Sequence, residues 1–350
     1  MNSIKLSDLT SGRNNNLDAI RLFAALMVVF GHCFRVPPNV FITSGTIGEF
    51  GVLIFFFISG FLITQSYENI NNPVRFLWAR FLRIFPALII VVLVSVFILG
   101  AVMTTLPLKE YFTNSQTYSY LSYINLYDMK LYLPGVFDGG IVNSPLWTLR
   151  YEFTCYFIIL ILGMSRLLKR KYIVLGLVAS VIAVTFFSLG DSTNVLNIHF
   201  YTMARFFAYF GIGVVAYLFR RYIPLRIDLL LITAVAIIVP SFWGGIPIAL
   251  FSIPLGYLIL FIGYSPRVNL RSLTKYGDYS YGIYILHWPV QRVLTNATPD
   301  INPFLLFALS GVITYALAGL SWHLIEKRAL MLKNRKIRIS TVQVLFAPTK

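Results

Sequence analysis

Ten stretches of mostly apolar residues recur along this chain, at 17–35, 47–67, 84–105, 146–164, 172–190, 199–219, 227–242, 247–264, 277–295 and 303–325. A helix needs about 20 such residues to cross the hydrocarbon of a bilayer. No water is available there, so each backbone polar group must be satisfied within its own helix. The chain is therefore expected to be all-α: a polytopic transmembrane helical bundle of about ten spans. Its composition agrees, with 57% hydrophobic residues, 12% charged residues and a mean hydropathy of +0.75. The polar start MNSIKLSDLTSGRNNN lacks the charged region, apolar core and cleavage site of a signal peptide, so the first span is expected to stay as an anchor.

Basic residues set the expected orientation. They crowd the tails and alternate loops: Lys5 and Arg13, then Arg75, Arg80 and Arg83, then Arg166 to Lys171, Arg220 to Arg226, and Arg267 to Lys275. The intervening loops hold only Arg35, Lys109, Lys130 and Arg292. This alternation places both termini in the cytoplasm and accounts for the net charge of +16. The bases are dispersed and follow no motif, so no nucleic-acid partner is expected. The reading divides the chain into a cytoplasmic N-terminal tail (1–16), a transmembrane domain (17–325) and a basic cytoplasmic C-terminal tail (326–350).

Cys33 and Cys155 fall inside spans, and neither a disulfide framework nor a metal site is expected. The stretch 106–145 faces outward and carries Tyr111, Tyr118, Tyr120, Tyr123, Tyr127 and Tyr132. Some are expected to belong to an interfacial belt; stacking of a few on a sugar is the alternative, and the sequence does not separate the two.

Ionisable groups inside spans are costly and mark function by default. Arg21 and His32 are eleven residues apart, three turns plus about 20°, so they share one helix face roughly 16 Å apart. Snorkelling accounts for Arg21 alone, and an interhelical hydrogen bond accounts for His32 alone. A single polar cavity accounts for both. Glu152, Arg205 and His287 are expected at the same outer level as His32, whereas Arg150 points elsewhere. Arg80 and Arg83, at i and i+3, share a face at the inner mouth of the third span. They read either as a charge anchor or as a seat for phosphate.

In order along the chain, LDAIRLFAALMVVFGH (17–32), FFFISGFLIT (55–64), RFLR (80–83), PLWTLRYEF (145–153) and SYGIYILHWP (280–289) resemble the segments of the acyltransferase-3 family of membrane acyltransferases. The resemblance implies transfer of an acyl group, usually acetyl from acetyl-CoA, to a hydroxyl. In its bacterial branch the acceptor is often a sugar of lipopolysaccharide O-antigen, exopolysaccharide or peptidoglycan, and the enzyme lies in the inner membrane. Small-molecule acceptors such as macrolides also occur. Acyl-CoA is expected as donor substrate, with no permanently bound cofactor; the expected partners are the lipid bilayer and a polysaccharide or lipid-linked sugar.

With that resemblance, Arg80 and Arg83, joined by Arg21, are expected to hold the CoA phosphates. The pantetheine arm, on the order of 15–20 Å long, would run along the first helix face to bring the thioester to His32. His32 is expected as general base, with Glu152 orienting its ring; an acyl-histidine relay stands beside direct transfer. Arg205, His287, Arg150 and Trp147 are the candidate oxyanion or acceptor contacts. The competing class is a transporter using the same Arg, Glu and His groups as a substrate or proton path. The absence of an evident internal repeat and the Arg-X-X-Arg pair weigh against it.

Overall fold

Each of the ten apolar stretches carries a helix. The computed structural model describes residues 4–10, 12, 14–34, 44–70, 72–187, 193–241 and 248–334; Arg13, Arg35 and 335–350 lie outside them. The helices are α1 (Leu17–Cys33), α2 (Ser44–Ile70), α3 (Pro73–Met103), α4 (Pro145–Met164), α5 (Lys171–Phe187), α6 (Phe200–Leu218), α7 (Ile227–Ser241), α8 (Ser252–Tyr264), α9 (Ser280–Ala297) and α10 (Pro303–Met331). Strand is confined, among the described residues, to the pairing of Asn194–Val195 with Ile198–His199. Among the described residues, five helices are long and apolar enough by themselves to cross a membrane: α2 from Ile47, α3, α4, α6 and α10. The aliphatic side chains of Val102, Ile161 and Val312 are 75%, 63% and 73% exposed. An outer surface of that kind suits lipid. The fold is that of an all-α membrane protein.

Two helices depart furthest from the expected bounds. α3 starts at Pro73 rather than 84: the Asn72 side chain accepts from Arg75 N at 2.9 Å and Pro73 opens the first turn. The arginines of PVRFLWARFLR lower the local hydropathy but not the helical tendency. α10 runs past 325 to Met331 through a π turn at Trp322–Glu326, so Glu326 is a buried helix residue rather than the first residue of a tail.

The N-terminal segment is also docked rather than free. Leu6 N donates to Ile223 O at 2.9 Å, Leu225 N donates to Ile4 O at 3.0 Å, and the Leu6 side chain is fully buried. Asn16 Nδ2 donates to Ile262 O and Val268 O, each at 2.9 Å. Lys171 Nζ donates to Tyr222 Oη at 3.1 Å at the same end of the bundle.

At the opposite end, residues 104–145 fold into short helical turns. Of its tyrosines, Tyr111, Tyr120 and Tyr123 are fully buried in this unit rather than at an interface, while Tyr118 and Tyr132 are exposed. The Tyr111 hydroxyl donates to Val96 O at 2.8 Å, inside a π turn of α3 (Ser95–Leu99).

α2 runs between α1 and α6. Glycine permits the second contact: a Cβ at Gly60 would stand 1.9 Å from Phe210 O, and one at Gly213 would stand 2.2 Å from Phe57 O. α1 also packs on α9 and α10, which brings the first and the late helices together.

Candidate functional site

α1 and α9 lie side by side and are tied at two levels. At one level Arg21 Nη1 meets Asp278 Oδ2 at 2.6 Å. At the other, His32 Nδ1 stands 2.9 Å from His287 Nε2. Eleven residues separate the two levels on α1 and nine on α9, so the helices run in the same direction. Arg21 and His32 thus share a face, as the spacing predicts.

The lower level gathers two arginines on one carboxylate. Arg83 Nη2 reaches the same Asp278 Oδ2 at 2.5 Å. The other oxygen, Asp278 Oδ1, accepts from Ser280 N at 3.2 Å and from Ser280 Oγ at 2.5 Å. Asp278 thereby turns two repelling guanidinium groups into a fixed pair, although each still has N–H donors beyond the one contact. Arg80, expected beside Arg83 as a seat for phosphate, makes different contacts: its Nη2 donates to Ser66 Oγ at 3.4 Å and its guanidinium lies 5.9 Å from the Tyr156 ring. Asp278 was missed in sequence because its partners are 257 and 195 residues away. The one signal is an acid at the helix start, in an otherwise basic loop.

The upper level defines a tautomer. His287 is fully buried, and its Nδ1 lies 2.9 Å from Tyr284 O and 3.2 Å from Ile283 O. Carbonyl oxygens only accept, so Nδ1 carries the proton in a neutral His287 and Nε2 is the acceptor. His32 Nδ1–H then donates to it, which leaves Nε2 as the basic nitrogen of the His32 ring. The Trp288 ring stands edge-on to His32 at 5.0 Å, and Gln291 Nε2 donates to Val29 O at 2.9 Å, holding α9 on α1. His287, expected as an oxyanion contact, is instead the partner of His32.

Glu152, expected to orient His32, is placed elsewhere. Its Oε1 accepts from Ser59 Oγ at 3.2 Å and from the Tyr156 hydroxyl. Ser59 and Gly60 of the ISGF stretch therefore act differently: one binds Glu152, the other lets α6 approach. Arg150 is buried, with its guanidinium 5.0 Å from the Tyr151 ring.

Two cavities lie along this face of α1. One, of about 190 Å³, is lined by His32, Glu49, Trp147, Arg205 and Phe206 among others. The second, of about 40 Å³, is lined by Arg21, Arg83, Glu152 and Tyr281. Val52, Thr148 and Tyr284 line both, so the two share a wall. Arg205 Nη1 is 2.6 Å from Glu49 Oε1 in the larger one. A separate groove of about 420 Å³ between α3, α9 and α10 is lined by aliphatic side chains and two serines and holds no ionisable group. Among the described residues, no group of three or more His, Cys, Asp or Glu is close enough to hold a metal ion. The arrangement offers a base, a cationic pair and a cavity at each.

Comparison with known proteins extends this reading. Residues 14–323 match a family described as an acyltransferase domain. An O-acetyl transferase of Shigella phage Sf6 is 27% identical over 339 residues, covering 93% of this chain and 99% of its own length. Nodulation protein 10 of Rhizobium leguminosarum bv. viciae is 30% identical over 356 residues, covering 93% of this chain and 95% of its own. No solved structure matches the chain.

Proposed function

The chain belongs to the acyltransferase family matched over residues 14–323, and from that premise we propose that it moves an acetyl group from acetyl-CoA to a hydroxyl of a surface polysaccharide. The acceptor is a sugar of the kind found in O-antigen or exopolysaccharide. The phage relative's name, O-acetyl transferase, supports the group transferred. The protein lies in a bacterial inner membrane with about ten spans and both termini cytoplasmic, which the crowding of basic residues into alternate loops supports.

The observation that carries the proposal is that Arg21 and His32, on one face of α1, open into two adjoining cavities. Arg21 and Arg83 hold the CoA phosphates, with Arg80 nearby. The pantetheine arm passes the shared wall at Thr148 and Tyr284 and brings the thioester to His32. His32 Nε2 takes the proton of the acceptor hydroxyl as its oxygen attacks the thioester carbonyl. The tetrahedral adduct expels the CoA thiolate, which takes the proton back from the imidazolium. His287 keeps His32 in the right tautomer and accepts from Nδ1–H throughout, the task an acid performs in a serine triad. Glu152, bound by Ser59 and Tyr156, lines the donor cavity beside Arg21 and Arg83.

The test is the surface polysaccharide of cells with and without the gene, examined by NMR for O-acetyl groups. Acetyl signals lost on deletion, restored by the wild type and not by His32→Ala are expected. Unchanged spectra would remove this acceptor class, and full restoration by an inserted His32→Ala protein would remove the base.

A further inference from the structure

We propose that Glu49 and Arg205 form the acceptor-binding clamp of this enzyme, and that their ligand is an uncharged polyhydroxyl ring, a sugar unit. This rests on the acyltransferase reading above and deepens it. Glu49 from α2 and Arg205 from α6 line the same cavity as His32, with Trp147 and Phe206 beside them.

The pair is unusual in its unused capacity. Glu49 Oε1 and Arg205 Nη1 are 2.6 Å apart, yet the contact lacks directed hydrogen-bond geometry. Glu49 Oε1 and Arg205 Nε, both screened from solvent, have no hydrogen-bond partner among the described residues. The remaining atoms of the two groups are within reach, since the Glu49 and Arg205 side chains are 29% and 23% exposed, and a ligand in the cavity can supply hydrogen bonds that the pair does not make within itself. The pair is not needed to hold α2 on α6, because Gly60 and Gly213 already bring those backbones together.

The chemistry of the pair selects the ligand. A carboxylate only accepts and a guanidinium only donates, and together they carry no net charge. Glu49 disfavours a phosphate or carboxylate ligand, and Arg205 disfavours a cation. A sugar fits both: one hydroxyl donates to Glu49 while a neighbouring one accepts from Arg205, and the Trp147 and Phe206 rings, 5.6 Å apart, offer apolar surface to its C–H groups. The clamp sits in the His32 cavity rather than the Arg21–Arg83 one, so it serves the acceptor and not the CoA phosphates.

The experiment uses the full chain in lipid nanodiscs, radiolabelled acetyl-CoA, and as acceptor the surface polysaccharide of the deletion strain after mild base has removed its O-acetyl groups. Glu49→Gln and Arg205→Ala are expected to raise KM for the polysaccharide tenfold or more while KM for acetyl-CoA stays within twofold. The double swap Glu49→Arg with Arg205→Glu restores an ion pair but exchanges donor and acceptor positions, and is expected not to restore acceptor KM. An unchanged acceptor KM, an equal rise in both KM values, or full rescue by the swap would overturn the clamp and make the pair a helix staple. Glu49→Gln keeps the size of the side chain, so its result stands where the alanine variant fails to insert. Failure of the function itself shows differently: the wild type then leaves the polysaccharide unlabelled.

Discussion

His32 Nδ1 and His287 Nε2 are 2.9 Å apart, although 255 residues separate them in the chain. Two backbone carbonyls at the far side of His287 fix which nitrogen of each ring carries a proton. His287→Leu leaves His32 Nδ1 without that acceptor, and kcat is expected to fall by roughly 10³–10⁴-fold, the scale of losing the orienting acid of a serine triad. His287→Gln keeps an amide oxygen in reach and is expected to retain activity within about tenfold of wild type. KM for acetyl-CoA should hold in both. Equal loss in the two variants would make His287 a packing residue.

The second prediction concerns the donor end. Arg83→Ala removes a charge-assisted contact of about 1.5–3 kcal/mol, so binding of CoA to the nanodisc-embedded protein should weaken by roughly 10–100-fold. The same change in Arg80, which faces Ser66 and Tyr156 instead of Asp278, should weaken it less. Isothermal titration with CoA separates the two, and the reverse order would reassign the phosphate seat.

Asp278→Asn tests stability rather than binding. It leaves Arg21 and Arg83 facing each other without their shared anion, and breaking a buried pair of this type costs about 3–5 kcal/mol. Cys33 and Cys155 are both fully buried, so a thiol-reactive dye reports melting in detergent without added cysteines. The melting temperature is expected to fall further in Asp278→Asn than in Arg21→Ala, where Arg83 still holds the carboxylate.

The fourth prediction is steric. Gly60→Ala places a methyl group against Phe210 O, and overpacking a tight contact costs about 1–3 kcal/mol. The same dye assay should show a lower melting temperature. Gly176, where an added Cβ meets nothing within 4 Å, is the matched control.

Local patterns in the chain were legible. Each apolar stretch carries a helix among the described residues, and a spacing of eleven put Arg21 and His32 on one face. What stayed hidden depends on pairs far apart in sequence. Asp278 and His287 acquire their roles from α1, and Glu49 acquires its partner from α6. Hydropathy also misplaces the ends of α3 and α10, because arginines at 75, 80 and 83 and the Glu326–Arg328 run read as solvated although their backbone is helical. The burial of Tyr111, Tyr120 and Tyr123 was hidden for a related reason: a tyrosine suits both a membrane interface and a buried site, as where the Tyr111 hydroxyl finds the Val96 carbonyl.

The docking of Ile4, Leu6, Ser7 and Asn16 onto 220–225 and 262–270 has a consequence for how the protein is made. A ribosome working at about 5–20 residues per second needs roughly 10–50 s to get from the first of these segments to the last. During that interval α1 exists without α9, and its arginine and histidine wait for Asp278 and His287 to be synthesised. The nascent chain is thus exposed to quality control at its very first helix until its ninth arrives. Shortening the early tail would remove the buckle that fastens beginning to end.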